Sequence, residues 1–75
     1  MKVKFTTMEE IKLFIQYTSN LNSRVTIYSG KYVVDGKSIM GVLSLDLANT
    51  LIVVVEDVAD EERLAHKLKE LGVLV

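Results

Sequence analysis

The sequence contains no cysteine, so neither a disulfide framework nor a thiolate metal site can form, and the absence suits a reducing compartment. No metal and no cofactor is expected. Long apolar runs are missing too: the longest, Leu51 to Val55, falls far short of the ~20 residues that cross a bilayer. The charged amino-terminal segment does not lead into a signal-peptide core, so the expected location is cytoplasmic, without membrane insertion. Nor is there an excess of one charge sign. With a net charge of −1 and both signs interspersed, the chain lacks the basic footprint that nucleic acid or an anionic membrane surface requires. Expected partners are proteins or small ligands.

What is present is an ordinary globular composition, 49% apolar and 25% charged over 75 residues, without repeat, linker or low-complexity segment. That is one domain, residues 1–75, near the lower limit for a fold held by its core alone. Lys2-Val3-Lys4-Phe5 alternates as a strand with one buried face, leaving Lys2 and Lys4 solvated. Thr6 or Thr7, with Glu9 or Glu10 three residues later, reads as a capping box opening a helix. Ile11, Phe14, Ile15, Thr18 and Leu21 supply its stripe, and Asn20 to Ser23 ends it. Arg24 to Tyr28 and Lys31 to Asp35 flank Ser29-Gly30 as a hairpin. A two-residue loop there sets Val25 opposite Val34 and Ile27 opposite Tyr32, with Thr26, Tyr28, Lys31 and Val33 on the other face.

Asp35-Gly36 is a turn signal, Ser38 is placed to cap, and Ile39 to Leu47 is apolar enough for a short, largely packed helix. Thr50 to Glu56 reads as an interior strand. From Asp60 onward, Leu64, Leu68 and Leu71 mark a last helix with acids in its first turn and Gly72 as its stop. The order β-α-β-β-α-β-α predicts an α+β fold, a four-stranded, mostly antiparallel sheet covered by three helices on one face.

That order, together with Lys37-Ser38-Ile39-Met40-Gly41-Val42-Leu43-Ser44-Leu45 and Leu13-Phe14-Ile15-Gln16, resembles the HPr family, the small phosphocarrier of the bacterial sugar phosphotransferase system. Leu51-Ile52 and the acidic start of the last helix fit as well. The resemblance covers essentially the whole chain, with a contraction around Asp46 to Asn49, and it implies an open-faced β-sandwich. The nine-residue segment is similar to the one around the family's regulatory serine. In the family, a histidine after the first strand carries the phosphoryl group, followed two residues on by an arginine and then by a proline. Those positions fall here on Thr7, Glu9 and Glu10.

A phosphothreonine ester is stable, whereas an imidazole is a good leaving group, so Thr7 cannot pass phosphate onward. Carboxylates there repel it. His66, two residues after Leu64, falls opposite the leucine stripe with Glu62 one turn before it, and reads as a solvated surface residue. Gly36-Lys37-Ser38 mimics the end of a P-loop without its first glycine, whose place Lys31 takes. Tyr17, Tyr28 and Tyr32 read as partly buried structural residues.

The resemblance therefore implies a noncatalytic, HPr-like docking protein similar to the catabolite-repression homologues, with Ser38 as its phosphorylation switch and Ile39, Met40 and Leu43 as a contact surface. Its implied partners are an HPr kinase/phosphorylase, a catabolite-control transcription regulator or phosphotransferase-system enzymes. Local pattern alone makes Ser38 an N-cap followed by core residues. Two alternatives stand beside this reading: a phosphocarrier that works despite the substitution, and a purely structural interaction domain.

Overall fold

The computed structural model describes residues 1–75, in the order β1 (Lys2–Val3), α1 (Met8–Ser19), β2 (Val25–Ser29), β3 (Tyr32–Asp35), α2 (Ile39–Leu43), β4 (Leu51–Val55) and α3 (Val58–Leu71). The strands form one sheet in the order β1-β4-β2-β3, and every neighbouring pair is antiparallel. Helices cover one face only. Val25, Ile27, Leu51, Val53 and Val55 point to that face and are buried with Phe14, Val42, Leu64 and Leu68 in a single core. Phe5 and Phe14 meet edge to face with ring centroids 5.2 Å apart, a geometry that suits aromatic quadrupoles. No helix is long and apolar enough to cross a membrane.

Several sequence expectations are corrected at the level of local geometry. The hairpin loop is Gly30-Lys31, so Ile27 lies opposite Val34 and Ser29 opposite Tyr32. Gly30 has φ +57, a conformation glycine accepts at the first turn position and serine resists. The two-residue slip keeps every side chain on its expected face, because the strand period is two. Tyr28 and Tyr32 are exposed, and of the tyrosines only Tyr17 is partly buried, packed against the core.

β4 is interior, as its run of apolar residues predicts, yet its burial alternates: Ile52 and Val54 lie on the uncovered face and are exposed. β1 is shorter than Lys2 to Phe5. Beyond Val3 the chain turns to the C-terminal segment, where the Lys4 N–H donates to Val73 O at 2.9 Å and the Val75 N–H to Lys2 O at 3.1 Å. That segment covers the outer edge of β1.

α2 stops at Leu43, not Leu47, and it is not largely packed: Ile39, Met40 and Leu43 are exposed, and of its residues only Val42 is buried. The Ser44 hydroxyl donates to Gly41 O at 2.6 Å, and the Asp46 carboxylate accepts from the Ala48 N–H at 3.1 Å. Short polar side chains thus supply partners that a helix would otherwise provide. α3 begins at Val58, with Asp57 as its N-cap, ahead of the predicted Asp60. Asp60 is consequently the third residue of the helix, and it is 4% exposed.

Candidate functional site

Two helix starts carry the residues that the sequence singles out. At the first, Thr7 Oγ1 accepts from the Glu10 N–H at 3.2 Å. Glu10 Oε1 in turn accepts from the Thr6 N–H at 2.7 Å, the Thr7 N–H at 3.2 Å and the Thr6 hydroxyl at 3.1 Å. The capping box is closed on itself. The Thr6 amide, then the Thr6 hydroxyl and the Thr7 amide, hold the Glu10 carboxyl below its ordinary range despite some desolvation.

Chemically, this end of α1 presents a fixed carboxylate where an anion would otherwise meet free N–H groups and the positive end of the helix dipole. Glu9 is exposed and hydrogen-bonds to neither threonine, so the acid that occupies these donors is Glu10.

At the second start, the Gly41 N–H donates to Ser38 Oγ at 3.1 Å and the Val42 N–H to Ser38 O at 3.0 Å. Ser38 is half-buried and its hydroxyl donates to no protein group, which leaves the oxygen approachable from one side. Around it Ile39 is 38%, Leu43 41% and Met40 79% exposed. Three large apolar side chains on one short helix face solvent beside a serine hydroxyl.

What steadies Ser38 was not visible in the sequence pattern. Thr18, counted there as part of an apolar stripe, is fully buried and donates through Oγ1 to Gly36 O at 2.9 Å and to Ile15 O at 3.1 Å. Lys37 Nζ donates to Leu21 O at 2.7 Å. The Gly36 N–H donates to Val25 O at 2.8 Å, and a Cβ added at Gly36 would stand 2.5 Å from Val25 Cγ1. Only glycine allows this approach. The turn leading to Ser38 is therefore clamped to α1 and β2 together. A polar residue within an apolar stripe was the available signal, since a buried hydroxyl needs a partner.

His66 lies apart from both helix starts, on α3, with its side chain 75% exposed, and Nε2 stands 3.2 Å from Glu70 Oε1. Its neighbour is the acid one turn after it, not Glu62. No cluster of metal-ligating side chains forms anywhere in the molecule.

The family described as "PTS HPr component phosphorylation site" matches residues 9–72 of this chain. Among solved structures, the chain is similar to the catabolite-repression protein Crh of Bacillus subtilis, described as a dimer with a swapped domain. That match has a TM-score of 0.65, 24% identity, and coverage of 93% of this chain and 85% of the other. It is also similar to a phosphocarrier protein HPr from Bacillus anthracis, with a TM-score of 0.68, 24% identity, and coverage of 88% and 87%. No curated protein matches the sequence.

Proposed function

Because this chain belongs to the HPr family, we propose that it is a noncatalytic member, a cytoplasmic regulatory docking protein whose switch is phosphorylation of Ser38. The observation that carries the noncatalytic half is the closed capping box at Thr7. A phosphoryl carrier needs a nucleophile that is also a good leaving group, with donors free to receive the phosphate oxygens. Here the nucleophile's place is taken by a hydroxyl that is already capping, and Glu10 occupies the Thr6 and Thr7 N–H donors. Phosphate brought to Thr7 would meet a carboxylate whose charged form is favoured by the Thr6 and Thr7 hydrogen bonds.

The regulatory half rests on Ser38 and its surroundings. A phosphate there would add about −1.5 to −2 charge next to an apolar surface without displacing a core residue. Ile39, Met40 and Leu43 supply that surface, and methionine adapts its shape to different partners. A kinase for modification and a transcription regulator or phosphotransferase-system enzyme for readout are the partners this arrangement suits, in carbon catabolite repression of a bacterium.

Incubation with an HPr kinase and ATP, followed by intact-mass measurement and site mapping, should place one phosphate on Ser38 and none on Ser38→Ala. Phosphoenolpyruvate and enzyme I should leave the protein without acid-labile phosphate. An unlabelled Ser38 beside a labelled HPr would end the regulatory reading and leave a structural domain. Phosphate passed on to a sugar-specific acceptor would end the noncatalytic one.

A further inference from the structure

Between the carboxyl end of α1 and the middle of α3 lies a cavity of about 250 Å³, lined by Tyr17, Asn20, Leu21, Arg63, Leu64 and Lys67. At roughly 30 Å³ per water it has room for about eight waters, or for one small organic molecule. Leu21 and Leu64 are both buried and give it an apolar floor. Its charged lining is of one sign. The three other concavities of the molecule each set acids beside bases, as where Asp35 and Glu56 accompany Arg24 and Lys37. Here Arg63 and Lys67 have no carboxylate with them, although the chain as a whole carries a net charge of −1.

Lys67 enters neither of the molecule's two ion pairs, and its Nζ stands 5.8 Å from the centroid of the Tyr17 ring. Arg63 donates through Nη1 to Asp60, a carboxylate outside the cavity lining, and its remaining donors are free. Cations one turn apart on a helix repel each other, and an anion held between them removes that repulsion. We propose that this cavity binds a small organic monoanion, a carboxylate carried on an apolar body about the size of one ring. The carboxylate meets Arg63 and Lys67, and the body lies on Leu21 and Leu64 against the Tyr17 ring. A guanidinium fork matches a carboxylate in shape. A phosphate dianion suits the site less, because the helix end beside it is the carboxyl end of α1, the negative end of its dipole.

Exposure sets the strength. The side chain of Arg63 is 68% exposed and Lys67 is exposed as well, so solvent and salt screen both charge contacts. Affinity is therefore roughly millimolar. None of the lining residues belongs to the Thr7 capping box or to the Ser38 surface, so binding requires no phosphate on Ser38.

Amide NMR titration of the full chain with benzoate at neutral pH tests this. Benzyl alcohol supplies the same body without the charge, acetate the charge without the body, and inorganic phosphate the dianion. Benzoate should give saturable shifts centred on Tyr17, Leu21, Leu64 and Lys67, weakened by added salt. Each of the other three probes should bind about tenfold more weakly or not at all. Lys67→Gln should weaken benzoate about fivefold at low salt, while Lys67→Arg keeps the charge and should retain binding. A melting temperature for Lys67→Gln close to that of the unaltered chain would show that the loss is not a failure to fold. No saturable shift at tens of millimolar benzoate would overturn the proposal, as would shifts centred away from the cavity. So would acetate or phosphate binding as tightly as benzoate, which would leave only general attraction to surface cations. Benzoate bound equally well by Lys67→Gln would also overturn it.

Discussion

Glu10 illustrates how much a single residue can decide. The family resemblance implies that Glu9 and Glu10 both repel phosphate, but of the two only the Glu10 carboxylate holds the Thr6 and Thr7 amides. Thr7→His alone should therefore yield no acid-labile phosphate from phosphoenolpyruvate and enzyme I, and adding Glu9→Arg should change little. Adding Glu10→Ala to that pair should bring the first detectable label, because the fixed carboxylate is gone and the Thr6 and Thr7 amides are released. Label in Thr7→His by itself would show that the capping carboxylate is no obstacle. Thr18 and Gly36 are decisive in a quieter way, through one buried hydroxyl and one missing Cβ that seat the turn before Ser38.

Among the elements, α2 is the one whose character changed most between sequence and structure. Its apolar residues read as packing, but five residues make little more than one turn, and only Val42 reaches the core. Urea unfolding should separate the roles of its residues. Met40→Ala should cost little stability, as its side chain already sits in water, while Val42→Ala should cost about 2 kcal/mol through lost burial and a cavity. Ser38→Ala should fall between them, at about 0.5–2 kcal/mol for a lost N-cap. If Met40→Ala proved as costly as Val42→Ala, the exposed face could not be a free contact surface. Docking to a kinase or regulator should show the reverse ranking, with Met40→Ala the most damaging.

For the whole molecule, stability rests on one core and on ties that join distant segments. One tie runs from the loop after α1 to the start of α3. The Ser23 N–H donates to Asp60 Oδ2 at 3.0 Å, and Arg63 Nη1 lies 3.2 Å from Asp60 Oδ1. The Ser23 amide first, then its hydroxyl and Arg63, hold the Asp60 carboxyl below its ordinary value. A carboxyl whose folded pKa is depressed stabilises the fold above its unfolded pKa, about 4. That contribution is lost as pH falls through the lower folded value, and Glu10 acts in the same direction. Melting temperature should hold steady from neutral pH down to about 5 and decline below about 4. Asp60→Asn should lie below wild type at pH 7, with a gap that narrows on acidification. A gap that is constant with pH would assign the effect to packing alone.

Periodicity, cap residues and turn signals determined the number, type and order of the elements. These are local properties, set by backbone sterics and by which side chains recur every two or 3.6 residues. The nine residues around Ser38 carried the family resemblance for the same reason, as they can be read without knowing what lies across from them. Tertiary structure alone decided which apolar residues are buried, because Ile52 and Val53 are chemically alike and differ only in which sheet face the helices cover. It also decided the hairpin register, where a register two residues away preserves every side chain's face. The partners of Thr18 and Asp60 belong to the same class. Each hydrogen bond that Thr18 and Asp60 make to another segment requires that segment to have arrived first, and no pattern along a single stretch of chain encodes that arrival.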